Sequence, residues 1–263
     1  IVPGGPRLLL WSPGADVGCN QLQFLEAPAG SDYAAPRLAL GPGSPADVLL
    51  TMHGKAPGGT NQLMVKGTLT GGAFTFTTPS TLGPQAGLVV PTVPATKNAV
   101  IGGVVGTVGT DPPIPAAFLQ LAQEFAPITE ATLPEPLLDA PDGGTNSRIT
   151  ALHSTDSHVL ALAQVDQGGA NTFGPPNSPC PMGQCGLWSL FDTSLTLVGH
   201  QLTGPGVVPS VGLLVPAGNG APDVVWAASY STAGTLLKTT LPAPAKDARR
   251  VFVARQAPLE TSP

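Results

Sequence analysis

Few residues in this chain are of types that do chemistry, and most stand alone. His153-Ser154-Thr155-Asp156-Ser157-His158 sets two imidazoles and a carboxylate around one short turn. That trio could hold a divalent metal, although a solvated polar turn has the same composition. Asp139 and Asp142, in Asp139-Ala140-Pro141-Asp142-Gly143-Gly144-Thr145-Asn146, supply oxygen ligands of the kind calcium takes. They lack the alternating acidic spacing of a calcium loop, so no cofactor is assigned. Cys180 and Cys185 enclose Pro181-Met182-Gly183-Gln184 in a loop rich in Pro, Gly and Asn. A local disulfide closes that spacing, whereas zinc would need further Cys or His nearby. Cys19, the only other cysteine, is expected as an isolated thiol under a loop.

Linear catalytic signatures are missing. No Gly-x-Ser-x-Gly turn, His-Glu-x-x-His pair or Cys-x-x-Cys-His haem site occurs. Gly58-Gly59-Thr60-Asn61, Gly143-Gly144-Thr145-Asn146 and Gly168-Gly169-Ala170-Asn171 recur, but none follows a strand and opens a helix as a phosphate loop must. Tight turns explain them, since Gly and Asn tolerate positive φ. Trp11, Trp188 and Trp226 lie within apolar runs and are expected to fill gaps between sheets. Tyr33 and Tyr230 are the aromatic rings expected at the surface.

Such residues need a scaffold, and the chain spells one out. Asp47-Val48-Leu49-Leu50-Thr51-Met52-His53 has counterparts around Val100, Val159 and Val224, each short, rich in Val and Leu and almost uncharged. Strands covered on both faces read this way. Another apolar run precedes each one: Leu38 to Val48 spans 10 residues, Leu88 to Val100 spans 12, Ile149 to Val159 spans 10, and Gly212 to Val224 spans 12. The near-constant offset predicts four hairpins. From Val48 to Val100 to Val159 to Val224 the intervals are 52, 59 and 65 residues. A hairpin alone is too small to be stable, so each should recruit the strands that follow it.

At the level of this spacing the chain resembles a β-propeller, without the Trp-Asp, double-Gly kelch or Phe-Gly/Gly-Ala-Pro signature of any one family. The resemblance implies an all-β fold of about five four-stranded blades in one domain, residues 1–263. The blades would be residues 35–84, 85–138, 139–205 and 206–263, with residues 1–34 forming a fifth together with the C-terminal strand. Arg249–Arg255 is expected to be left without a partner until it meets the N-terminal strands, closing the ring. Phe118, Leu121, Ala122 and Phe125 follow the helical i, i+3, i+4, i+7 template after Pro115, at a place where the other units have a third strand. Helix and strand both remain open there.

Composition narrows function. Charged residues make up 10% of the chain and hydrophobic residues 42%, which gives enough apolar surface to fold despite 33 Gly and 31 Pro. A net charge of −5 argues against a nucleic-acid partner, and no apolar run reaches the ~20 residues of a membrane span. With the paired cysteines, this favours a secreted, periplasmic or cell-surface protein. The expectation is a non-enzymatic binding or scaffold module that presents a loop face to a protein or glycan, as one subunit of a larger surface assembly. Asp32, Tyr33, His53, Asp111, Asp166 and Tyr230 are the loop candidates, and the insertion from Asp166 to Cys185 is the longest of these loops. The rival reading is a propeller hydrolase or lyase acting on a polysaccharide through Asp32, Asp111, Asp166 and His53.

Overall fold

The computed structural model describes residues 7–12, 21–26, 32–41, 45–56, 59–77, 80–83, 86–93, 100–106, 115–121, 147–165, 185–217, 221–236, 239–246 and 248–257. Among these residues the protein is all-β, with strands that pair antiparallel and no helix. Sheet A pairs β1 (Arg7–Ser12) with β2 (Gln21–Glu26). Sheet B is a meander of β3 (Asp32–Leu40), β4 (Ala46–Ala56), β5 (Gly59–Thr70) and β6 (Ala73–Phe76), with β7 (Ser80–Gly83) also on β5. Sheet C is β8 (Ala86–Thr92), β9 (Val100–Gly106) and β10 (Pro115–Leu121). Sheet D is β11 (Ser147–Ser154), β12 (His158–Val165), β13 (Cys185–Asp192) and β14 (Leu197–Pro205). Sheet E joins β15 (Val207–Val215) and β16 (Asp223–Tyr230) to β19 (Arg250–Gln256), with the separate hairpin β17 (Gly234–Leu236) and β18 (Thr239–Leu241) between them in sequence.

The four expected hairpins are β3–β4, β8–β9, β11–β12 and β15–β16. Local chemistry sets the turns. Gly71 and Gly72 take φ of 56° and 84° between the paired residues Thr70 and Ala73, the two-residue turn whose twist suits adjoining strands.

One open choice is settled and one expectation changes. The segment after Pro115 is a strand, and Pro115 to Leu121 pair in unbroken register with Gly106 to Val100. Its helical pattern covers only two turns, too short to stand without tertiary support, and the β9 edge supplies that support instead. Ala122 and Phe125 lie outside the described residues. Likewise β19 is not left without a partner: it pairs with β16, Trp226 opposite Ala254, because alternation turns Phe252 and Ala254 onto the buried face beside Trp226 and Tyr230. Among the described residues β1 and β2 pair only with each other, so no strand pairing joins the two chain ends.

Sheets stack in chain order. β8 lies across β3, β4 and β5; β11 lies across β8, β9 and β10; and β15 lies across β11, β12 and β13. Each boundary holds an apolar layer. Leu25 of sheet A packs on Val48, Phe74, Leu50 and Val65 of sheet B. Val100 and Leu119 of sheet C meet Ile149, Val159, Leu187 and Phe191 of sheet D. Leu160, Leu162, Trp188 and Leu190 on the other face of sheet D meet Val224, Trp226, Ala228 and Tyr230 of sheet E. Sheet D is therefore buried on both sides, and β13 is buried from Cys185 through Phe191.

The four marker valines are all buried, at 0–3% exposure, but they do not all point the same way. Val48, Val159 and Val224 face the preceding sheet, whereas Val100 faces the following one. A one-residue slip reverses the face in a strand, so Ile101 is the residue of sheet C that matches the other three.

Among the described residues sheet E ends the series with one face uncovered. Val211 is 56% exposed, Leu213 42%, Val251 73% and Val253 71%. Pairing places Val211 beside Ala227 and Val253, and Leu213 beside Val225. In sheet D the matching positions are Ala151 and Leu162 with Trp188, and His153 with Leu160, the side on which sheet E rests.

Candidate functional site

Strand ends of one kind carry Asp32, Tyr33, His53 and Cys185. In sheet B, register sets Asp32 opposite Lys55, Tyr33 opposite Gly54 and Ala34 opposite His53, so three candidates share one corner. The ladder then breaks between Ala34 and Arg37, where Ala35 takes a φ of 49° and Pro36 has no N–H to give. Such a bulge bends the strand and re-aims its side chains. Tyr33 is half-buried against Leu50, Met52 and Val65, and burial pushes its phenol pKa up. It therefore remains a neutral hydroxyl at physiological pH.

The corresponding corner of sheet D frames the long 166–184 connection. Val165 ends β12 opposite Ser147 and Cys185, and Cys185 opens β13 opposite Pro205. Cys185 is buried and disulfide-bonded. Cys180 and Cys19 lie outside the described residues, as do Asp111, Asp139, Asp142 and Asp166. Two side-chain pairings that sequence reasoning missed stiffen this corner. The guanidinium of Arg148 donates to Gln164 Oε1 from Nη2 at 2.6 Å and from Nε at 3.2 Å. Thr203 Oγ1 accepts from Gly186 N at 2.8 Å and donates to Gly186 O at 2.9 Å, beside the register shift after Cys185. The clue available beforehand was a polar residue inside an apolar run, since a buried one must find a partner.

Tyr230 is not at the surface. It is 3% exposed, lies 5.9 Å from Phe252 ring to ring, and donates its hydroxyl to Pro242 O at 3.2 Å. Alternation along β16 carries it to the same face as Trp226. Trp188 and Trp226 fill the layer between sheets D and E, as their apolar runs implied.

The turn with two histidines sits at the opposite strand end, and its groups diverge. His153 Nδ1 accepts from Leu214 N of sheet E at 3.2 Å. His158 Nδ1 shares a proton with Ser157 Oγ at 2.8 Å, and the turn closes through Thr155 N donating to His158 O at 2.9 Å. Asp156 is exposed to solvent. Among the described residues no three His, Cys, Asp or Glu side chains are grouped so as to hold a metal ion, and His153 and His158 are each hydrogen-bonded to a different neighbour.

These imidazoles make stability pH-dependent. Burial holds His153, His158 and His200 below the ordinary value of 6.5, opposed at His158 by the nearby Asp192. The folded state therefore takes up protons less readily than the unfolded chain. Their contribution is fully present above 6.5 and is lost as pH falls from there through the folded values. Denaturant midpoints should fall between pH 7.5 and 5.5, and His153→Asn, which keeps an acceptor but cannot titrate, should fall less. A midpoint that is flat or rises on acidification would contradict this.

The described residues define an all-β protein of antiparallel sheets, two of them four strands wide, laid face to face in chain order. No family model, no curated protein and no solved structure matches the chain. No helix among the described residues is long and apolar enough to cross a membrane.

Proposed function

We propose that these sheets are blades of a β-propeller of about five blades, and that the protein is a non-enzymatic extracytoplasmic binding module. Its binding face is the strand end that carries Tyr33, His53 and the 166–184 connection. One observation carries the reading: sheets B, C and D each receive the first strand of the next sheet across one face, and sheet E leaves its matching face of Val211, Leu213, Val225 and Ala227 open. In a ring that face rests on sheet A, which removes the exposed apolar surface. Tyr230 in the core leaves the binding end one aromatic platform short for a sugar, so a protein partner is favoured over a glycan. The Cys185 disulfide supports an oxidising compartment, with Cys180 its partner on spacing. No observation on the described residues favours the hydrolase or lyase.

Photo-crosslinking separates these readings. A crosslinker at Tyr33 or His53, exposed to the extracellular fraction of the source cells, should capture one protein that a crosslinker at Asp156 does not. Capture at Asp156 alone, or release of reducing ends from a polysaccharide panel, would overturn the proposal. The ring is read separately by alkylation of Val253→Cys in a Cys19→Ser background, since closure shields that position and an open series leaves it reactive.

A further inference from the structure

We propose that the outer edge of β19 is a docking site for an extended acidic segment of a partner protein, which adds to sheet E as its fourth strand. Among the described residues, sheets B and D reach four strands in their meanders, while sheet E stops at three and β19 is its last. The outer edge of a strand presents N–H and C=O groups that another strand can pair with, and proteins normally blunt it with Pro, bulges, central charges or short length. β19 has none of these. It runs for seven residues in unbroken register, Val251-Phe252-Val253-Ala254 at its centre and charge only towards its ends. The pairing edge of β19 belongs to sheet E whether or not the ring closes.

What lies around the edge selects the occupant. A groove of about 310 Å³ runs between β19, at Phe252 and Ala254, and the β17–β18 hairpin, at Leu236 and Leu241. On the other face Val251 and Val253 are exposed. A strand laid along β19 would send alternate side chains to these two apolar surfaces, so its centre must be apolar on both sides. The ends are cationic. Five of the chain's 11 Lys and Arg fall between residues 238 and 255, namely Lys238, Lys246, Arg249, Arg250 and Arg255, with Asp247 the only carboxylate in that interval. Arg255 is paired with Asp223 at 2.7 Å and Arg249 donates to Ser229 Oγ at 2.8 Å. Arg250 is exposed and has no ion-pair partner among the described residues. In a protein of net charge −5 this concentration of cations favours an apolar strand flanked by Asp or Glu.

The test uses the full chain and a fluorescent hexapeptide, Glu-Val-Leu-Val-Ile-Glu, with a Lys-flanked counterpart and a version N-methylated at alternate residues. The acid-flanked peptide should bind about tenfold tighter than the Lys-flanked one, the yield of two exposed charge pairs. It should also slow amide exchange at residues 250–256, and N-methylation should abolish both effects. Arg249→Glu with Arg250→Glu should reverse the charge preference. If that pair fails to fold, the three peptides on the unaltered chain still decide. No binding, no slowing at β19, equal binding of the Lys-flanked peptide, or indifference to N-methylation would each overturn the proposal. So would self-association that the acid-flanked peptide competes away, because a second copy would then be the occupant.

Discussion

Replacing Trp226 with alanine should lower the stability of the folded chain by about 3–5 kcal/mol, the range for losing a fully buried large aromatic side chain. Trp226 is 1% exposed and sits in the layer with Leu160, Leu162, Trp188 and Leu190. Its ring meets Phe252 edge to face at 5.1 Å, which also ties β19 to β16. The indole N–H has no hydrogen-bond partner among the described residues, so the loss is one of packing and cavity alone. Trp226→Phe should therefore recover part of it. Urea unfolding monitored by far-UV circular dichroism measures the change. Amide exchange should quicken in β16 and β19 and leave sheet B unaffected, because the main contacts of sheet E are with sheet D and not with B. A loss below about 1 kcal/mol would mean that sheets D and E are not packed in this way.

Gly67→Ala should cost about 1–3 kcal/mol, although alanine is ordinarily the better strand residue of the two. A Cβ at Gly67 would lie 2.4 Å from the carbonyl oxygen of Thr75 and 2.7 Å from Cδ1 of Phe76. The first is a backbone atom held in the β5–β6 ladder, where Gly67 pairs with Phe76, so it cannot swing aside as a side-chain tip would. Relief requires β6 to move. That would disturb the stack of Phe74 on Phe76, 5.7 Å apart and 11° from parallel, which helps form the layer against sheet A. Gly234→Ala is the control: its Cβ meets nothing within 4 Å, and the change should stay within about 0.5 kcal/mol. Equal stability losses for the two substitutions would remove the steric account.

The inter-sheet layers also explain where the open apolar surface lies. Among the described residues, sheets B, C and D each have a neighbour on the side that follows them, and sheet E does not. Val211, Leu213, Val251 and Val253 are therefore the same kind of residue as the buried Leu160 and Leu162, exposed by position in the series and not by composition. The proposed ring draws on the face of this sheet and the proposed strand addition on its edge; they share Val251 and Val253, which closure of the ring would cover.

Strand identity and hairpin pairing were legible in the sequence because both are local. Runs such as Val48-Leu49-Leu50 and Val159-Leu160-Ala161-Leu162 are too short and too rich in Val and Leu to be much else, and their spacing leaves room only for a hairpin. The burial of Trp188 and Trp226 follows from the same runs. Which face a residue takes was not legible. A slip of one position put Val100 on the opposite face from Val48, Val159 and Val224, and Tyr230 looked like a surface ring until alternation along β16 turned it inward. Composition cannot fix such parity, since Gly, Ala and Val suit either face. Partner choice was equally a tertiary matter. β10 became a strand because the β9 edge was there to pair with it, and β19 joined β16 across the intervening β17–β18 hairpin because Phe252 and Ala254 complete the layer around Trp226. The sequence by itself determined an all-β chain of paired apolar strands with few reactive groups. Its sheet faces, its third strands and the outer edge of β19 were decided by long-range packing, which depends on which surfaces meet and leaves no periodic trace in the chain.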